Sequence, residues 1–203
     1  MRIIETRTAP NPRRVRIFLA EKKIAVAFEE VDLMQGASRT PGFTALNPAQ
    51  RVPVLVLDDG TAISESVAIC RYFEELQPEP ALFGRGAVGR ATVEMWNRRA
   101  ELGLFAAVAS VFRHLHPKMS RIEVPQIGAW GEANKTKVVE MLRLIDARLG
   151  ESGYIAGGDF SIADITALVA VDFMKVMRLE VPSDLANIAR WHREVSARSS
   201  TQA

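Results

Sequence analysis

The sequence predicts an α/β first half, of element order β-α-β then β-β-α, followed by an all-helical second half. Three observations carry this. Residues 1–77 alternate short apolar strand-like runs with helix-like stretches. Gln77-Pro78-Glu79-Pro80, followed by Gly84, Gly86 and Gly89, breaks the chain, because proline continues neither a helix nor a central strand. Beyond the break, apolar residues recur at helical spacing almost throughout. The expected division is therefore an α/β domain over 1–80 and a helical domain over 88–203.

Within the first half, Arg2 to Thr6 is a strand candidate. Asn11-Pro12 predicts a helix start, since asparagine is a favoured N-cap and proline a favoured first residue. That helix runs through Val15, Phe18 and Leu19 to about Lys22. Val26 to Leu33 reads as a second strand, parallel to the first because a helix joins them. Gly36 to Asn47 reads as irregular or briefly helical. Val54–Leu57 and Thr61–Ile63 flank Asp58-Asp59-Gly60, a hairpin signal. A helix follows from Ser66 to about Leu76. In the second half, one helix is predicted from Arg90 to Leu115, stopping before Pro117. Another spans Ile127 to Leu149, with Gly150 as its stop. Ser161 and Asp164 form a short capping box, with Phe160 and Ile165 at the staple positions, for a helix to about Met177. A last helix lies between Ser183 and Ala197.

Bulk properties narrow the function. The formal net charge is +2, and 48% of residues are apolar. Residues 1–77 hold 10 basic and 10 acidic residues, and residues 78–203 hold 16 and 14, so neither half is a basic module and nucleic acid is not an expected partner. Arg13, Arg14 and Arg16 read as a solvated helix face, with anion attraction or subunit pairing as the other uses. No run is long enough to span a membrane and no signal-peptide block is seen, so a cytoplasmic location is expected. The single cysteine, Cys70, rules out an internal disulfide, and its apolar surroundings suit packing. No histidine–cysteine grouping suits zinc, so no metal is expected.

The chemistry-bearing stretches are Arg51-Val52-Pro53-Val54-Leu55 and Ser64-Glu65-Ser66. Proline between two strand-like runs predicts a turn, with a cis bond before Pro53, that leaves the N–H and C=O of Val52 unpaired. An extended ligand can pair with them as an added strand. The helix starting near Ser66 attracts a carboxylate, and Glu65 beside it can bind an ammonium. A ligand with a peptide middle and an α-amino acid end fits, and glutathione is such a ligand.

The chain also resembles the cytosolic glutathione transferases over nearly its whole length. The residues that carry the resemblance are Ala9-Pro10-Asn11-Pro12-Arg13-Arg14-Val15-Arg16, Asn47-Pro48-Ala49-Gln50-Arg51-Val52-Pro53-Val54-Leu55, Ser64-Glu65-Ser66-Val67-Ala68-Ile69 and Phe160-Ser161-Ile162-Ala163-Asp164. Within that family it looks closest to a fungal and bacterial theta-like subgroup. The resemblance implies a thioredoxin-like first domain, a helical second domain that contributes the second-substrate pocket, and a homodimer. It implies that glutathione is the co-substrate, with Val52 and Pro53 at the cysteinyl unit and Glu65 and Ser66 at the γ-glutamyl end. Gln50 and, less directly, Arg39 fall to the glycyl carboxylate, with Arg51 as electrostatic help. The usual catalytic serine position falls on Ala9, which has no hydroxyl, and the cysteine of another class falls near Asn11. Neither tyrosine, Tyr72 or Tyr154, lies near.

Thiol activation is therefore assigned on other grounds. Lowering a thiol pKa of about 8.5 to about 6.5 needs roughly 2.7 kcal/mol of preferential thiolate stabilisation. Asn11, the helix start with the Arg13 and Arg14 amides, and the Thr8 hydroxyl are the expected sources; the alternative is that Asn11 only caps its helix. A second candidate is His114, four residues from Ser110 on one helix face, which can hold a proton-accepting water. His116 is a weaker candidate. Trp96, Phe105, Phe112 and Met119 either line an apolar electrophile pocket or belong to the core. The expected reaction is thiolate attack on an electrophilic, apolar small molecule. Peroxide or disulfide reduction, and a non-catalytic glutathione carrier, are the alternatives.

Overall fold

A computed structural model describes all 203 residues. They form two compact units, Met1–Leu82 with Ser199–Ala203, and Phe83–Arg198. The last five residues, expected with the helical half, thus belong to the first unit. There they form a 3-10 turn in which Ser200 Oγ bonds to Glu21 and the Thr201 carbonyl accepts from Arg13.

The first unit runs β1 (Arg2–Glu5), α1 (Pro10–Lys22), β2 (Ala27–Glu30), a 3-10 turn (Ala37–Arg39), α2 (Pro41–Leu46), β3 (Val54–Val56), β4 (Ala62–Ser64) and α3 (Ser66–Leu76). Its four-stranded mixed sheet has the order β2-β1-β3-β4. β1 and β2 are parallel, as the intervening helix requires, and β1–β3 and β3–β4 are antiparallel. β2 ends at Glu30, short of the expected Leu33, and beyond it the Asp32 carboxylate accepts the N–H groups of Met34 and Gln35 where the chain turns. The hairpin closes through Asp59, which accepts the Thr61 N–H, and Gly60, with φ of +87°. The segment 36–47 is briefly helical, with Thr40 capping the Phe43 N–H at the start of α2.

Alternation along the strands sets two faces. Ile4, Val54 and Val56 pack with Phe43 and Val52 on one. Ile3, Leu55 and Glu5 share the other. Glu5 is buried there and accepts from Arg16 of α1 at 2.6 Å, while a second Arg16 nitrogen donates to the Arg7 carbonyl at 2.7 Å. This corrects the expectation of a solvated arginine face: Arg16 and Arg14 are both buried, and Arg13 is half-buried. Lys22, on the same helix, is also buried. It holds Glu74 at 2.6 Å and the carbonyls of Gln77 and Pro80 at 2.6 and 2.8 Å. α1 is thus tied to the sheet, to α3 and to the segment after α3 by buried cations.

α1 also begins earlier than expected. Ala9 is the N-cap, without a side-chain bond, and Pro10 is the first helical residue, so Asn11 lies inside the first turn. At the other end Lys23 adopts φ of +56° and its N–H reaches the Ala20 carbonyl, a left-handed stop filled by a non-glycine residue.

The second unit contains α4 (Gly86–Arg98), α5 (Ala106–Leu115), α6 (Gly128–Glu151), α7 (Ile162–Met174) and α8 (Ala186–Ser196). The single helix expected from Arg90 to Leu115 is α4 and α5 joined by a π-helical segment, Arg99–Phe105. Gly84, with φ of +82°, cannot carry a side chain: a Cβ there would fall 2.6 Å from the Gly89 carbonyl oxygen. α6 continues one residue past Gly150, the expected stop. Asp146 of α6 caps α8 by accepting the Ile188 N–H at 2.8 Å.

Asp164 is the polar centre of this unit. It is fully buried and accepts from the Ile155 and Ser161 N–H groups, the Ser161 hydroxyl and Trp191 Nε1, at 2.9 to 3.0 Å. Ser161 and Asp164 form the expected capping box, and the Ser161 hydroxyl also donates to this carboxylate. Burial pushes the Asp164 carboxyl up, against four donors that favour its ionised form.

The Glu5–Arg16 pair gives a stability test. Glu5→Ala leaves a buried guanidinium short of its anion and should cost about 3–5 kcal/mol in urea unfolding. Glu5→Met with Arg16→Met should cost clearly less. Equal losses would show that the pair's charge is not what the fold depends on.

Candidate functional site

The site is built on the first unit, around three backbone irregularities. The first is the turn before β3. The Val52–Pro53 bond is cis, as expected. The Val52 side chain is buried beside Phe43 and Val54, yet neither its N–H nor its C=O bonds within the chain. Unpaired main-chain groups require water or a ligand. The loop that presents Val52 is organised by Asn47, which is buried. Its Nδ2 donates to the Arg51 carbonyl at 2.8 Å, its Oδ1 accepts the Ala49 N–H at 3.1 Å, and its carbonyl accepts the Gln50 N–H at 2.9 Å. Gln50 has φ of +55° and donates to Thr44 at 3.1 Å.

The second irregularity is Glu65, with φ of +69°, at the N-cap of α3. Its side chain is exposed and forms no ion pair within the chain. Ile69 is the first residue to bond back, to the Glu65 carbonyl at 2.9 Å, so the N–H groups of Ser66, Val67 and Ala68 have no helical acceptor. An exposed anion beside three free amides suits a zwitterionic amino acid end: ammonium at Glu65, carboxylate at the amides.

The third is the start of α1. Pro10 and Pro12 have no N–H, and the Arg13 N–H reaches the Ala9 carbonyl at 3.3 Å. Asn11 therefore supplies the only free amide of the first turn. This replaces the expectation that the Arg13 and Arg14 amides come first. The Asn11 Oδ1 accepts from Ser66 Oγ at 3.4 Å, and Ser66 Oγ accepts from Arg14 Nη1 at 2.9 Å. The structure thus brings Asn11 and Ser66 together. The Asn11 Nδ2 group and main-chain N–H are left without intrachain acceptors.

Comparison with known proteins gives the family. Family models described as glutathione S-transferase N-terminal domain and C-terminal domain match residues 8–76 and 128–194. The chain belongs to the glutathione S-transferase family. Glutathione S-transferase 2 of Saccharomyces cerevisiae is 36% identical over 205 residues, covering 100% of this chain and 88% of that protein. The structure of a glutathione S-transferase domain-containing protein of Marinobacter aquaeolei VT8 has a TM-score of 0.96 at 38% identity, covering 99% of this chain and 100% of that one. A glutathione S-transferase of class Gtt2 from Vibrio parahaemolyticus has a TM-score of 0.88 at 39% identity, covering 100% and 96%. The thioredoxin-like first unit and helical second unit are those of the transferases, and glutathione is the family's co-substrate.

The remaining expected residues are placed as follows. In this transferase, Thr8 is exposed in the turn before α1 and its hydroxyl makes no bond. Ala9 is half-buried at the N-cap. Arg39 is exposed at the end of its 3-10 turn and forms no ion pair within the chain. His114 lies in the second unit, at the end of α5. Its Nδ1 accepts the Ile127 N–H at 3.1 Å and its Nε2 is 3.9 Å from Glu123. Ser110 does not pair with it; its hydroxyl donates to the Ala106 carbonyl at 2.9 Å. His116 Nδ1 accepts the Lys118 N–H. Trp96 is buried with the Arg99 and Arg148 guanidiniums over its ring, Phe105 and Met119 are buried, and Phe112 stacks edge-on to Phe173 at 5.0 Å.

Two residues of the site escaped sequence reasoning. Asn47 stands in the stretch that carries the family resemblance, but nothing local to the sequence gives it a role. Arg14 looked solvated, although its spacing from Asn11, Phe18 and Lys22 puts all four on one stripe of α1. For Asn47, removal of the carboxamide in Asn47→Ala frees the loop before Val52. The KM for glutathione should rise about 5- to 10-fold, the equivalent of one or two hydrogen bonds, with kcat at saturating glutathione little changed. An unaltered KM would detach Asn47 from the site.

Proposed function

We propose that this transferase conjugates the glutathione thiolate to electrophilic, apolar small molecules, and that Asn11 activates the thiol. What supports this is the start of α1, where two prolines remove the other donors and Asn11 alone offers a free main-chain N–H and a free side-chain amide. Two donors and a helix N-terminus lower a thiol pKa in the way a serine hydroxyl does elsewhere. In this reading the tripeptide pairs with Val52 ahead of Pro53. Its γ-glutamyl end meets Glu65 and the Ser66 amide. Its glycyl carboxylate is received by Gln50, with Arg39 and Arg51 adding positive charge, and Ala9 lines the cysteinyl position. Thr8 is a secondary donor. The Ser66 hydroxyl, engaged by Arg14 and Asn11, is not the ligand contact; its N–H is.

For His114 the proposed role is that of a donor to water. Its Nδ1 lone pair is occupied by the Ile127 N–H, which leaves Nε2–H in the neutral ring. Such a ring orients a water and takes up a proton only by releasing Ile127. We also propose a homodimer, a cytoplasmic location and a detoxifying role. Support for the dimer comes from Val88 and Met95, exposed apolar residues seven apart on α4, and no helix is long and apolar enough to cross a membrane. Peroxide or disulfide reduction uses the same thiolate and is the second reading.

The pKa of the bound glutathione thiol, read from thiolate ultraviolet absorbance, tests the proposal. Asn11→Ala should raise it by about one to two pH units, the equivalent of roughly 1.5–3 kcal/mol for a hydrogen bond to a charged group. Because less thiolate then exists at neutral pH, the rate with a chloronitrobenzene probe should fall there and recover as pH rises. An unchanged thiol pKa removes Asn11 from the chemistry. Thiolate formation without any conjugation would favour the carrier reading, and preferential hydroperoxide turnover the reductive one. Thr8→Val should change the rate less than threefold. His114→Ala with normal turnover at every pH would discard the histidine.

A further inference from the structure

The geometry points to Arg14 as the positioning residue that sets which way the Asn11 carboxamide faces, an inference that rests on the proposed role of Asn11. Arg14 is fully buried in α1 and Ser66 is buried at the start of α3. Arg14 Nη1 donates to Ser66 Oγ at 2.9 Å, and Ser66 Oγ donates onward to Asn11 Oδ1 at 3.4 Å.

Direction in this chain follows from the groups themselves. A guanidinium has donors and no acceptor, so the Ser66 oxygen can only accept from it. The serine's single proton is then available for Asn11, and only the carboxamide oxygen can accept it. With Oδ1 turned to Ser66, Nδ2 is the group presented elsewhere, and it has no intrachain acceptor. An amide that turned over would take its acceptor away from the Ser66 proton, and would show an oxygen to the thiolate. Lone pairs repel a thiolate, whereas N–H groups stabilise it. A buried arginine that touches neither thiol nor peptide thereby fixes the sign of the dipole at the sulfur. Because Ser66 carries the free amide proposed for the γ-glutamyl carboxylate, the relay also links that position to the one proposed for the cysteinyl sulfur.

The test reads thiol pKa, affinity and the amide itself. Ser66→Ala keeps the main-chain N–H and removes only the relay. Glutathione Kd should stay within about threefold, while the bound thiol pKa rises by about one pH unit and turnover is lost near neutral pH but regained at high pH. The side-chain 15N–H resonances of Asn11, which shift on glutathione binding in the unaltered protein, should no longer do so. Arg14→Met should reproduce this, and Arg14→Lys, also a donor without an acceptor, should restore most of it. A purely structural role would instead lower activity at every pH and leave the thiol pKa in place. If Ser66→Ala leaves the thiol pKa unchanged while Asn11→Ala raises it, the relay is overturned and the role of Asn11 stands. If Asn11→Ala leaves it unchanged, both fall. Should Arg14→Met fail to fold, Ser66→Ala and Arg14→Lys decide alone.

Discussion

The hydrogen bond from buried Arg14 to Ser66 is the interaction on which the site depends. It joins the first turn of α1 to the first turn of α3, two helix starts separated by more than fifty residues of chain. Helix N-termini carry free N–H groups and partial positive charge. Held together, two of them present donors suited to two anions, proposed to be the γ-glutamyl carboxylate and the cysteinyl thiolate. The third element, the turn before β3, adds the unpaired main chain of Val52. The sheet sets the spacing of all three, because β1 and β4 run on either side of β3 and each leads into one of these helices.

Buried cations recur along α1, and each has a separate structural task. Arg16 anchors the helix to the sheet through Glu5, Lys22 closes the carbonyls at the end of α3, and Arg14 reaches the start of α3. Replacing any one with an apolar residue alone leaves its partners unsatisfied in a medium where that is costly. In the proposed mechanism the start of α1 stands in for the missing serine hydroxyl. A proline on each side of Asn11 strips away competing amides and leaves one residue with two donors where the thiolate is proposed to sit.

Features set by adjacent residues were legible in the sequence. The cis turn at Val52-Pro53, the Asp58-Asp59-Gly60 hairpin, the Ser161–Asp164 box and the helix of residues 66–76 all rest on local chemistry and appeared where expected. The features that sequence reasoning missed depend on distant partners. Arg14 and Arg16 are buried because Ser66 and Glu5 meet them across the fold, and an arginine-rich stretch alone gives no sign of that. The start of α1 slipped for a different reason: Asn-Pro is a strong cap signal, but Pro10 also satisfies the first helical position, and the helix begins there. The π-helical segment 99–105 left no periodic mark, since one widened turn barely disturbs an apolar repeat.

The most direct measurement is a crystal structure with glutathione bound. The account predicts the peptide paired with the Val52 main chain and the sulfur within hydrogen-bonding distance of the Asn11 amides, with Oδ1 still turned to Ser66. A sulfur nearest a group other than Asn11, or a tripeptide away from Val52, would contradict it.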